Sequence, residues 1–157
     1  MQSFTTNQVP RIVSGPGRST ELGALVTGLA GEGACVLLVA DNGLGALGLT
    51  SRIAEALKSG GHRVVTHDAI LSDPKEPCII AAVEQARSEG AEAVVCLGGG
   101  SALDAGKLIA AMIGAKGRLE DYRLAANALP VARVPLVCVP TTAGTGSEAT
   151  AVSVISD

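Results

Sequence analysis

Aromatic side chains are almost missing from this chain: its 157 residues hold no Trp, one Phe (Phe4) and one Tyr (Tyr122). Any core must come from Val, Leu, Ile and Ala, and such a core suits parallel strands covered by helices on both faces. Histidine is nearly as scarce, with only His62 and His67. Positive charge is also short: 12 Lys and Arg stand against 15 Asp and Glu, a net charge of −3. That balance gives no basic surface for nucleic acid. No apolar run approaches the roughly 20 residues that cross a bilayer. Met1 to Pro10 is polar and lacks the basic-then-apolar order of a signal peptide. The expectation is a soluble, cytoplasmic protein with neither nucleic-acid nor membrane partners. The four cysteines, Cys35, Cys78, Cys96 and Cys138, form no C-x-x-C pair. They read as small hydrophobes in a reducing compartment.

What is present is aliphatic residues and glycine, 47% hydrophobic with 20 Gly. Ala34 to Ala40, Arg63 to Ala69, Ala93 to Leu97 and Pro135 to Val139 read as buried strands. Helix-length segments run over Ser19 to Leu29, Leu49 to Lys58, Pro77 to Glu89 and Ser101 to Ile113. This alternation predicts an α/β fold, a Rossmann-like parallel sheet with helices on both faces. Two further segments read as short edge strands, Arg11 to Ser14 early and Ala149 to Ile155 late. With no linker or repeat, residues 1–157 are expected to form a single α/β domain. The late strand has no helix after it to cover it, which points to part of something larger.

Two loops carry candidate chemistry. Gly98-Gly99-Gly100 ends an apolar strand and opens a helix, with Ser101, Asp104 and Lys107 in its first turns. Glycines there let backbone amides approach a pyrophosphate, and the helix N-terminus favours an anion. Ser101 and Asp104 also fit a capping box, and Lys107 also fits a solvated helix lysine. A Walker loop is excluded: its first glycine would fall on Ser101, and Leu108 stands where Ser or Thr is required. The second loop, Pro140 to Thr150, supplies Thr141, Thr142, Thr145 and Ser147 with Gly144 and Gly146. Both loops follow predicted parallel strands, so both belong on the sheet edge where ligands bind. A third glycine pattern, Gly43-x-Gly45-x-x-Gly48, has Asp68 at about the spacing of a ribose-binding acid. It starts late after its strand, with Asp41-Asn42 intervening, and turn or cap glycines explain it as well.

G-G-G-S-x-x-D-x-x-K, then D-Y, then P-T-T-A-G-T-G-S-E-x-T resembles the iron-containing (group III) alcohol dehydrogenases. The likeness extends to Pro16-Gly17, Val39-Ala40-Asp41, His67-Asp68, Asp73-Pro74, Glu120-Asp121-Tyr122 and Val154-Ile155-Ser156-Asp157. Dehydroquinate synthases lack this Thr-rich loop, and maleylacetate reductases differ in both loops.

The resemblance implies an NAD(P)-binding domain and reversible hydride transfer between an alcohol or aldehyde and NAD. It places Gly98, Gly99, Gly100 and Ser101 on the pyrophosphate. Thr141, Thr142, Thr145 and Ser147 fall around adenine and phosphates, and Asp41 on the adenosine ribose. An Asp at that position repels a 2′-phosphate, favouring NAD over NADP. Asp104 matches an acid near the nicotinamide and substrate, a candidate catalytic group. Asp73 stands where the family usually has Asn, and Gly106 where it usually has Ala, a departure with no evident chemical cost. The family's metal, Fe²⁺ or Zn²⁺, is held by one Asp and three His of a helical second domain, and none of these matches a residue here. The resemblance therefore implies a cofactor-binding half, inactive alone, that pairs as a homodimer through early strands such as Arg11 to Ser14. The alternative is a non-catalytic nucleotide-binding or dimerisation module. A helical domain supplied by a separate chain is a third arrangement.

Overall fold

The computed structural model describes residues 11–125 and 134–156. The polar segment Met1 to Pro10 and the closing Asp157 lie outside the described residues.

Strands β1 (Cys35–Asp41), β2 (Arg63–Ile70), β3 (Ala93–Gly98) and β4 (Leu136–Pro140) alternate with helices α1 (Leu22–Ala30), α2 (Leu49–Ser59), α3 (Glu76–Ser88) and α4 (Gly100–Ile113). The four predicted buried strands and four predicted helices all appear, shifted by a residue or two at their ends, apart from the first helix. There the chain enters through a 3₁₀ turn at Arg18–Glu21 before α1 begins. Pro77 fits the first turn of α3, where its missing N–H costs nothing.

All strand pairs are parallel, in the order β2-β1-β3-β4. The alternation of aliphatic side chains builds two cores. Val36, Leu38 and Ala40 of β1, with Val95 and Leu97 of β3, pack against Val26 of α1 and Ile53 and Leu57 of α2. Leu37 and Val39, with Val94 and Cys96, pack against Ile79 and Val83 of α3 and Leu103 and Ile109 of α4. Both central strands are thus buried on both faces, as an aromatic-poor, branched-aliphatic sequence requires. Arg87 of α3 closes α4 by donating to the carbonyls of Met112, Ile113 and Ala115, which a helix end otherwise leaves unpaired.

The two short edge strands do not form. Arg11 and Ile12 are exposed, and Gly15 and Gly17, both at positive φ, turn the chain directly into the 3₁₀ segment. The segment from Ala149 to Ile155 is irregular, because side chains rather than a neighbouring strand take its backbone groups. Lys107 Nζ donates to the carbonyls of Thr150 and Val152, and Val154 N–H donates to Asp104. Only Ser156, the residue after the predicted strand, makes a bridge, in parallel with Lys75.

In this order the chain runs from β1 to β2 on one side, then crosses to β3 on the other. The C-terminal ends of β1 and β3 therefore diverge into a crevice, the place where open α/β sheets bind ligands.

Candidate cofactor site

The crevice is an open cleft of about 450 Å³. Asp41, the last residue of β1, forms one wall. Its Oδ1 accepts the Gly43 N–H at 2.9 Å, which holds the carboxylate at the mouth of the β1–α2 loop. Gly99, Gly100 and Ser101 form the floor, and Thr141 and Thr142 the opposite wall. The Thr141 N–H donates to the Gly98 carbonyl at 2.9 Å, so the two predicted loops are tied together at their roots.

Gly98 sits at φ +151 in the turn beneath the cleft, a conformation that residues with a Cβ rarely adopt. A Cβ here would lie 2.6 Å from Ala102 Cβ and 3.2 Å from Asp41 Cβ. The glycine therefore allows the acid to stand over the turn. The floor is closed in as well: a Cβ on Gly99 would meet Thr142 Oγ1 at 3.1 Å, and one on Gly100 would meet Ser147 Oγ at 3.2 Å. Thr145 flanks Gly100 on the same side, 3.5 Å from that position. Gly99 is the N-cap of α4, it lines the cleft, and no side chain caps the helix.

The capping box does not form. Ser101 lies inside the helix and accepts the Asp73 N–H at 3.3 Å. Asp73 is at φ 58, a left-handed geometry that Asp and Asn both tolerate.

Asp104 is placed apart from the cleft. It is buried, 2.8 Å from Lys107 Nζ, and its Oδ2 accepts the Val154 N–H at 3.0 Å. Lys107 is correspondingly withdrawn from solvent rather than a surface lysine, its side chain 13% exposed. Of the predicted cofactor residues, six line the cleft, Gly98 lies beneath it, Thr145 and Ser147 support its floor, and Asp104 does none of these.

Leu44, Leu47 and Ser72 line the cleft without having been predicted. Leu47 is 71% exposed. An apolar side chain in a glycine-rich loop directly after a strand ending in Asp was the available signal. The Gly43-to-Gly48 pattern is mostly turn and cap: Gly48 is the left-handed N-cap of α2, and Asp68 stays outside the cleft.

His62 is buried, its Nε2 within hydrogen-bonding distance of the Gly23 carbonyl (3.0 Å) and Thr27 Oγ1 (3.1 Å). His67 pairs with Gln85 at 2.9 Å. Both roles are structural. Among the described residues no group of three or more His, Cys, Asp or Glu is placed to hold a metal ion.

Residues 10–157 match the family described as iron-containing alcohol dehydrogenase. This chain belongs to that family. Among curated iron-type relatives it is 33% identical over 155 residues to a sulfoacetaldehyde reductase of Bilophila wadsworthia, covering 99% of this chain and 39% of that protein. It is 33% identical over 148 residues to an NAD-dependent methanol dehydrogenase of Bacillus methanolicus, covering 94% of this chain and 38% of that protein. Solved structures agree. An NADH-dependent butanol dehydrogenase A from Thermotoga maritima superposes with a TM-score of 0.89 at 28% identity, over 99% of this chain and 38% of that one. A sulfoacetaldehyde reductase from Bifidobacterium kashiwanohense, in complex with NAD⁺, gives 0.79 at 30% identity, over 90% of this chain and 36% of that one. The chain thus spans less than two fifths of the length of these iron-type dehydrogenases and reductases.

Proposed function

We propose that this chain is the cofactor-binding part of an NAD-dependent oxidoreductase that interconverts an alcohol and its aldehyde or ketone. The observation that carries the reading is the placing of Asp41 across the cleft from Gly99, Gly100 and Ser101, at the divergence of β1 and β3. The glycine turn and the uncapped start of α4 suit a pyrophosphate. The Asp41 carboxylate suits the two ribose hydroxyls, which donate to it. Leu44 and Leu47 offer an apolar wall for a planar base, and Thr141 and Thr142 add hydroxyls opposite. NAD, when bound, supplies the hydride acceptor, and the residues here bind and orient it. The names of relatives support the class: an NAD-dependent methanol dehydrogenase and a structure solved with NAD⁺.

Asp104 acts in this reading as a positioning residue, fixing the 150–154 segment beside α4. The family's metal finds no ligand cluster among the described residues. We read residues 1–157 as one cofactor-binding α/β domain. The four free cysteines support a reducing, cytoplasmic setting. The net negative charge and the lack of a helix long and apolar enough to cross a membrane among the described residues support the absence of nucleic-acid and membrane partners. Exposure of Ile12, at 79%, supports pairing with a second copy through the early segment.

Calorimetric titration with NADH and NADPH tests the reading. NADH should bind more tightly than NADPH by roughly tenfold or more, about 1.4 kcal/mol. Asp41→Ala should narrow that gap, because it removes the charge that repels a 2′-phosphate. Equal affinity in the parent chain, or no binding of either, would overturn it.

A further inference from the structure

Cys96 and Cys138 occupy directly paired positions on β3 and β4. Their side chains lie on one face of the sheet, Cys96 in the α3–α4 core and Cys138 packed against it. The sulfurs are 3.5 Å apart, with the Cys96 thiol donating to Cys138 Sγ and, at 3.6 Å, to the Val137 carbonyl. Neighbouring strands run about 4.8 Å apart, inside the roughly 4.4–6.8 Å Cα separation that a disulfide spans. Gly106 of α4 faces Cys96 so closely that a Cβ there would lie 2.4 Å from Cys96 Cβ. The helix thus holds Cys96 toward its partner and leaves it little room to rotate away.

We propose that Cys96 and Cys138 form a reversible, oxidant-driven disulfide that cross-links β3 to β4 beneath the cleft. The two thiols are unequal in a way that suits the chemistry. The hydrogen bond from Cys96 draws the Cys138 thiol below its ordinary range, with the positive charge of Lys107 assisting and burial opposing. Cys96, donating that bond and fully enclosed, is pushed up. Burial also raises the thiols of Cys35 and Cys78, making both poorer nucleophiles.

The half-buried Cys138 is therefore the attacking group and Cys96 the resolving one. The oxidant is a hydroperoxide. Cys138 thiolate attacks one peroxide oxygen, the O–O bond breaks, and the departing alkoxide or hydroxide takes a proton to leave as alcohol or water. Cys138 is left as a sulfenic acid. Cys96 sulfur then displaces its hydroxyl group, the S–S bond forms, and water leaves with the Cys96 proton. Two thiols are oxidised and one peroxide is reduced.

The bond would close two residues before Gly98 and three before Thr141, the roots of both cleft loops.

The test uses the full reduced chain and a small excess of hydrogen peroxide, followed by thiol alkylation and mass spectrometry. Reactive thiols should fall from four to two, with a mass loss of two hydrogens. Trypsin should release segment 88–107 joined to segment 134–157, each of which holds one cysteine. Dithiothreitol should restore all four thiols. Cys138→Ser should abolish the mass loss and Cys78→Ser should leave it intact. Retention of four thiols in the parent chain, addition of oxygen to Cys138 without a cross-link, or a link through Cys35 or Cys78 would each overturn the proposal. The readout is a mass, so it holds whether or not the chain binds NADH.

Discussion

Two glycine-rich loops follow the two central strands, and they are built on opposite terms. After β3, every glycine is hemmed in: a Cβ on Gly98, Gly99 or Gly100 would meet Ala102, Thr142 or Ser147 within 3.2 Å. After β1, the space is open: a Cβ on Gly45 or Gly48 would have nothing within 4 Å, and one on Gly43 only Asp41 Oδ1 at 3.4 Å. The spaced-glycine pattern belongs to the open loop, while the crowding belongs to the unspaced triplet. A glycine matters for binding when something must come close to its backbone, and the spacing of letters reports that only indirectly. The β1–α2 loop still serves the cleft, through the Asp41 carboxylate and two leucines rather than through its glycines.

The sharpest way to break this contrast is Gly98→Val. Positive φ and overpacking against Ala102 together should cost about 2–5 kcal/mol, read as a lower urea midpoint. Gly106→Ala extends the comparison to the helix above β3. Its methyl group would press on Cys96, and urea melts should show a loss of about 1–3 kcal/mol. Cys96→Ala in the same chain removes only the sulfur, so it should restore part of that loss. Gly99→Val has an ordinary negative φ of −81, so the fold should tolerate it. Its side chain would occupy the floor beside Thr142, and NADH affinity should fall by roughly tenfold with the urea midpoint nearly unchanged. The smallest effect is expected at Gly45→Ala, where stability should stay within about 0.5 kcal/mol and NADH affinity should not move. A large loss at Gly45, or none at Gly98, would show that the two loops do not differ as described.

Much of this was legible in the sequence. Branched aliphatic runs and stop glycines located the four strands and the last three helices to within a residue or two, because burial on both faces imposes a local signature. The convergence of the glycine triplet and the threonine loop followed from a single inference, that parallel strands bring their C-terminal ends to one edge; Asp41 was placed with them only by the family resemblance. What was not legible depended on partners far along the chain. Ser101 and Asp104 have the spacing of a capping box, yet their bonds go to Asp73 and Val154. Ala149 to Ile155 has strand-like residues, but a lysine and an acid from α4 take its backbone groups. The replacement of Ala by Gly106 looked costless by chemistry. Its reason is the close approach of α4 to β3, where even the Cβ of Cys96 would lie 2.4 Å from a Cβ at position 106.

The Asp104–Lys107 pair has a mechanical meaning. It grips the chain at Thr150, Val152 and Val154, and Ser156 then bonds to Asp73, whose own N–H is bonded to Ser101 at the cleft floor. The segment past the threonine loop is therefore a tie running from the middle of α4 back to the start of the same helix. A displacement of that tie would reach Ser101 through the Ser156–Asp73 and Asp73–Ser101 bonds, and the start of α3 through the bonds of Ser156 with Pro74 and Glu76.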